Sequence, residues 1–249
     1  MLRKGLKLMS FLLLIAFLVI TLAFSSRESK NISCHYIQIE FGENELITVS
    51  EDEIIRMVKA ADSKVIGKDL RQINAHSIEK EIEKHQAILK AEVYKVFAKD
   101  SMVYKGMLGV RIWHREPVMR VMSSEGSYYL DKTGEKVPVS DRYAARVLVV
   151  TGYFSENFAR GKLLSFVLFL KQDPFWNAQI EQVYVDQNSN LLLTPLFGDH
   201  IIELGYLEDF AVKLRNVKAF YEQVMVQNNW DKYEKISVKY KDQVIAKTK

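Results

Sequence analysis

A single cysteine, Cys34, in 249 residues excludes an internal disulfide and any cysteine-based zinc site. It leaves the redox compartment open. Catalytic fingerprints are missing too. No G-x-S-x-G, P-loop or G-x-G-x-x-G occurs, so the usual signs of acyl transfer, phosphoryl transfer and dinucleotide binding are absent. The histidines, His35, His76, His85, His114 and His200, form no H-E-x-x-H or other metal spacing. No segment is low in complexity and none repeats. An excess of either charge is small as well. The formal net charge is +4, and Arg3, Lys4 and Lys7 supply most of it before residue 25. The remainder is nearly neutral, which argues against a nucleic-acid binder, since that needs a basic face on its folded part. Nothing here recommends an enzyme, a metal or a cofactor.

What is present begins at the N-terminus. MLRKGLKLMSFLLLIAFLVITLAF opens basic and then runs almost wholly apolar from Leu8 to Phe24. As a helix that run spans about 25 Å, and about 30 Å if it starts at Gly5 with Lys7 reaching to the headgroups. The pattern predicts a single transmembrane helix over 8–24. Residues 1–7 stay cytoplasmic and the rest is translocated. A cleaved signal peptide is the rival, with Ala23-Phe24-Ser25 as a weak cleavage site, but the run exceeds the usual apolar length of such peptides. A second apolar burst, LLSFVLFL at Leu163–Leu170, is too short to span and reads as a buried helix ending near Pro174.

After a polar linker over 25–30, the chain reads as β-α-α-β-β over 31–116. Ile32–Phe41 predicts a strand. In TVSEDEIIRMVKAA, Ser50 and Glu53 suggest a capping box, Val49 can staple onto Ile54, and Ile54, Met57, Val58 and Ala61 share a helical face. SIEKEIEKHQAI, from Ser77, places Ile78 and Ile82 together on a second helix. Ile88–Phe97 and Met107–Glu116 read as strands. The class is α+β, with antiparallel strands and helices on one face. From 117 to 249 the texture becomes short strands with turn signals. The expectation is a mainly antiparallel β domain flanked by helices near Lys162–Gln172 and Leu207–Met225. Asp131-Lys132-Thr133-Gly134 marks a hairpin, and Asn188-Ser189-Asn190 marks a fold-back.

Residues that invite chemistry have plainer readings. His200 stands at a turn entering a strand, and a structural or solvent role is expected. His114, following Ile112 along a strand, is expected at an exposed position. The Asp131–Gly134 segment lacks the other carboxylates of a calcium loop. Glu51, Asp52 and Glu53 face a helix N-terminus, where their charge suits the macrodipole. Phe175 and Trp176 read as the edge of a core.

The chain closes on ISVKYKDQVIAKTK, Ile236–Lys249. Ile236, Val238 and Tyr240 alternate with polar residues, Lys241-Asp242 can turn, and Gln243–Lys247 can run back. The expectation is a closing strand at a sheet edge, whose unpaired backbone groups would recruit other chains. Lys239, Lys241, Lys247 and Lys249 are the kind of charges that protect an edge, and the residues themselves leave docking and protection both open.

KDLRQINAHSIEKEIEKHQAILKAEVYKVF (Lys68–Phe97) and MLGVRIWHREPVMRV (Met107–Val121) resemble the POTRA domain of the bacterial cell-division protein family FtsQ, also called DivIB. Ile88, Ala91 and Val93 fit its h-x-x-A-x-V strand, and Arg115-Glu116-Pro117 the charged pair before proline. SYYLDKTGEKVPV is similar to the family's D-x-x-G hairpin, while HIIELG, the helix from Leu207 and ISVKY resemble its C-terminal block. The resemblance implies a non-catalytic scaffold of the division machinery, anchored once in the cytoplasmic membrane with its bulk outside, at the septum. It would contact FtsB and FtsL and help control septal peptidoglycan synthesis. It also implies that a partner strand adds to the last strand of the β domain. That assigns Tyr240, Lys241, Gln243, Val244, Ile245, Ala246 and Lys247 to partner binding, with the POTRA-like part meeting other division proteins. No catalytic residue, metal or cofactor is expected. Two alternatives stay open: a tethered component of another envelope assembly, of secretion or conjugation type, and a membrane-anchored periplasmic hydrolase.

Overall fold

The computed structural model describes residues 9, 11–22, 32–42, 49–100, 103–124, 126–140, 144–225 and 230–249. The chain divides into two compact units; the second carries His114–Lys249, the first most of what precedes it.

The first described helix, α1, covers residues 11–22. Its twelve residues rise about 18 Å. Its large apolar side chains are exposed, Phe17 at 67% and Leu22 at 66%. Among the described residues no helix is long and apolar enough to cross a membrane. The remaining parts of the expected 8–24 span, including Leu8 and Ala23-Phe24, lie outside the described residues, as do the expected cytoplasmic stretch 1–7 and linker 25–30.

In the rest of the first unit β1 (Cys34–Phe41) leads to α2 (Glu51–Ala61), a 3-10 turn at Leu70–Gln72 and α3 (Ala75–Glu83). Then come β2 (Ile88–Asp100) and β3 (Val103–His114). The β-α-α-β-β order is the one read from the sequence. Ser50 stands at the N-cap of α2 as expected, but its side chain makes no capping hydrogen bond. Asn74 does cap α3, accepting from the Ser77 N–H at 3.2 Å, so that helix starts before Ser77. Ile54 and Val58 of α2, Ile78 and Ile82 of α3, and Leu108, Val110 and Ile112 of β3 are buried together in this unit's core. Each fully buried side chain of this size stabilises by about 1.5–3 kcal/mol.

The strand directions differ from the antiparallel expectation. The sheet order is β1-β3-β2, and β1 runs parallel to β3 from Tyr36 opposite Met107 to Phe41 opposite Ile112. Parallel neighbours require a crossover, and the two helices between β1 and β2 provide one. His114 corrects a second expectation, being 3% exposed. Residues 112 and 114 share one face of a strand, so the burial of Ile112 takes His114 with it.

The second unit is one nine-stranded sheet in the order β12-β11-β10-β9-β8-β7-β4-β5-β6. Its strands are β4 (Pro117–Ser123), β5 (Gly126–Asp131), β6 (Lys136–Val137), β7 (Leu148–Gly152), β8 (Ile180–Val185) and β9 (Leu191–Pro195), followed by β10 (Ile201–Gly205), β11 (Tyr233–Ser237) and β12 (Ile245–Thr248). Here too the sheet is mixed where a mainly antiparallel one was expected. β4 pairs parallel with β7, β7 with β8, and β10 with β11, while the remaining pairings are antiparallel. Two parallel pairs follow helical crossovers. A run of α4 (Glu156–Phe158), a π-turn at Ala159–Leu163, α5 (Leu164–Gln172) and α6 (Pro174–Gln179) separates β7 from β8, and α7 (Phe210–Val224) separates β10 from β11.

The LLSFVLFL burst is the buried helix expected. Leu163, Leu164, Phe166, Val167 and Leu170 are all buried, and Phe210 at the start of α7 packs edge-on against Phe166 and Phe169 at 5.2 and 5.1 Å. β7 stops at Gly152, whose φ of 114° is open to glycine alone at little cost. A Cβ there would lie 2.0 Å from the Val185 carbonyl oxygen, so the close approach of β7 to β8 depends on its absence.

Candidate functional site

The terminal segment forms the site. β12 is the outermost strand of the nine-stranded sheet and pairs antiparallel with β11: Ser237 opposite Ile245, Ile236 opposite Ala246, Lys235 opposite Lys247. Val238 leaves β11 but stays buried, its N–H donating to the Glu203 carbonyl at 3.0 Å. The strand expected to run on to Tyr240 therefore ends at Ser237, and Tyr240 lies in the connection, 58% exposed. Asp242 adopts a φ of 58° in the turn expected at Lys241-Asp242. Gln243 and Val244 precede the strand, which begins at Ile245.

Tyr240, Val244 and Ile245 thus form an exposed apolar group at 58%, 37% and 50%. Beside it, Asp242 and Val244 with Asn216, Ala219 and Phe220 of α7 line a 420 Å³ groove. Two lysines of the segment are engaged within the fold. Lys247 Nζ donates to Glu234 at 2.7 Å across the strand pair, and Lys249 Nζ to Asp199 at 3.0 Å. These exposed pairs hold the strand to the sheet only weakly, because solvent screens them. The outer backbone edge of β12 remains open among the described residues.

The other outermost strands are short or partly covered. At the far end of the same sheet β6 has two residues, too short to template a partner strand. In the first unit β1 is covered at its start. Cys34 donates its N–H to Lys68 at 2.9 Å and accepts from the Gly67 N–H at 2.7 Å. β2 is covered at Ala91 and Val93 by side chains. Glu83 accepts from the Ala91 N–H at 3.1 Å, and Glu79 from the Val93 N–H at 2.9 Å. Alternate amides of a strand face the same way, about 6.6 Å apart, and carboxylates four residues apart on a helix rise about 6 Å. The spacings match. Sequence reasoning missed this cap; the signal was the i, i+4 pair of glutamates just ahead of a strand.

The D-x-x-G turn and the charged pair before Pro117 meet. Asp131, 3% exposed, accepts from Thr133 N–H and Glu135 N–H at 2.8 and 2.9 Å and from Arg115 Nη1 at 2.9 Å. Burial alone would raise its carboxyl pKa. The Thr133 and Arg115 bonds, with the backbone N–H groups, outweigh that and hold it below the usual range. This carboxylate pins the β5–β6 hairpin, with both of its oxygens accepting hydrogen bonds. The expected hairpin role stands.

His200 is buried and structural. Its Nε2 lies 2.6 Å from the Tyr221 hydroxyl, and its ring stands edge-on to Tyr221 at 5.4 Å. Burial lowers its pKa against the opposing charge of Asp199, and burial raises that of Tyr221. Trp176, 3% exposed, stacks edge-on with Phe175 at 4.8 Å in the core, as read. Among the described residues no group of three His, Cys, Asp or Glu side chains could hold a metal.

The first unit defines the module: residues 32–101 match the model of a POTRA-like domain. The sheet unit is more specific. Residues 116–247 match the family described as FtsQ/DivIB, C-terminal related, and the chain belongs to that family. Membership ties it to cell division and to division-protein partners in general. No curated protein sequence matches the chain.

Proposed function

We propose that the protein is a non-catalytic scaffold of the division machinery and that β12 is where a partner docks. An extended segment of FtsB, with FtsL in the same complex, adds to the open edge by β-augmentation. Main-chain hydrogen bonds give the contact, and Tyr240, Val244 and Ile245 select the side chains of the incoming strand, flanked by Lys241, Gln243, Ala246 and Lys247. The apolar run over 8–24 anchors the chain once in the cytoplasmic membrane, leaving residues 31–116 and 117–249 outside it at the septum. There the POTRA-like part meets other division proteins, and the complex regulates septal peptidoglycan synthesis. One observation carries this reading: β12 keeps an exposed backbone edge, whereas β6 is two residues long, β2 is covered at Ala91 and Val93, and β1 is covered at its start.

The test is binding of the chain to the extracytoplasmic segments of FtsB and FtsL, beside a version truncated after Tyr240 and two proline variants. Ala246→Pro puts proline inside the ladder and should weaken binding at least about tenfold. Val244→Pro lies before the strand, removes one selecting side chain but no ladder donor, and should weaken binding less than Ala246→Pro. Equal binding by the parent and the truncated chain would move the docking site elsewhere.

A further inference from the structure

A cavity of the second unit lies away from β12, at the end of the sheet where β4, β7 and β8 begin. It encloses 640 Å³, within the range of small-ligand sites, and is lined on its floor by Val118, Val167, Leu170, Trp176 and Ile180, all buried. Leu148 extends the floor, and Leu196, 65% exposed, carries it out to the surface. Two cations stand at this cavity, Arg146 before β7 and Lys171 at the end of α5, against one carboxylate, Glu181.

Two absences limit what can fill it. β4, β7 and β8 are interior strands, each paired on both sides, so their ladders offer no free edge to read a peptide backbone. Among the described residues, no lining residue holds a buried side-chain N or O left without a partner, so the floor asks for no polar group in return. An occupant must therefore be apolar along its buried length and negative where it meets Arg146 and Lys171. A positive or neutral head would forgo the charge-assisted hydrogen bonds those side chains can make.

We propose that this cavity binds an anionic amphiphile: one aliphatic chain seated against Trp176 and Leu170, with a carboxylate or phosphate head held by Arg146 and Lys171. The inference rests on the cavity and is independent of strand docking at β12. Trp176 then serves the core on one face and walls the ligand on the other.

The probe is dodecanoate carrying a chain-end diazirine, photolysed with the full chain in phosphatidylcholine nanodiscs, with labelled peptides mapped by mass spectrometry. Site mapping matters because α1 is itself apolar and will also take label. Label is expected on the Val167–Ile180 stretch. Octyl phosphate or octanoate should displace it, and the stronger competitor identifies the head as phosphate or carboxylate; octyltrimethylammonium should not displace it. The double variant Arg146→Glu/Lys171→Glu, at exposed positions that leave the core intact, should cut labelling there about tenfold while label on residues 11–22 stays constant. Label confined to 11–22, equal displacement by the cationic competitor, or full labelling of the variant would each overturn the proposal.

Discussion

At the scale of single residues Asp131 holds the β5–β6 hairpin together. One buried carboxylate satisfies two backbone N–H groups and an arginine, so removing its charge leaves Arg115 facing a poor acceptor. Asp131→Asn is expected to cost about 2–4 kcal/mol, measured by denaturant unfolding followed through the tryptophans. The sign of the pH dependence follows from the depressed native pKa. As pH falls the unfolded chain takes up the proton first, so the stabilisation is complete at neutral pH and is lost as pH drops through the native value. The variant should therefore lose less stability on acidification than the parent. A parallel loss in both proteins would show that other carboxylates set the acid limit. Arg115 and Asp131 were both visible in the sequence as parts of separate motifs, sixteen residues apart. That they touch depends on Pro117 pairing opposite Asp131, a register that no local pattern specifies.

Among the elements, the edges are what distinguish this protein. α3 is amphipathic in the ordinary way, with Ile78 and Ile82 inward, yet Glu79 and Glu83 from the same helix close the edge of β2. Glu79→Ala together with Glu83→Ala should expose those amides. Hydrogen exchange across Ala91–Val93 is expected to speed up about tenfold, the equivalent of ~1.4 kcal/mol of local protection, with little change in β3. Unchanged exchange would mean the carboxylates do not guard the edge. The existence and type of most elements could be read directly: α2, α3, β4, the β5–β6 hairpin and the buried α5 lie where periodicity and turn residues put them. The short α6 was missed. It is six residues long, too short for a helical period to emerge, and is announced only by Asp173 capping Phe175 and Trp176 ahead of Pro174.

For the whole molecule, a POTRA-like unit and an FtsQ/DivIB-related sheet unit sit on one chain behind an apolar N-terminal run. If that run serves only as a tether, replacing 8–24 with an unrelated single-pass helix should leave septal localisation and growth intact, scored by complementation of a depleted strain. Loss of division with the protein still in the membrane would give the anchor a role of its own. This outcome is separable from the Ala246→Pro experiment, which leaves the anchor untouched.

The sequence by itself determined the elements, the two compositional halves, the lack of catalytic and metal motifs, and the candidate terminal strand. These are local properties: alternation, helical spacing, caps and turn residues act within a few positions of one another. Tertiary structure alone decided which strands are neighbours. The parallel pairing of β1 with β3 and of β4 with β7 and β8, the Arg115–Asp131 contact, the burial of His114, and the closure of β2 by α3 all join residues distant in sequence. Most consequentially, it decided that β12 lies outermost. A period of two can mark a strand but carries no information about whether a neighbour lies on one side or both, because backbone hydrogen bonds look alike from every side chain.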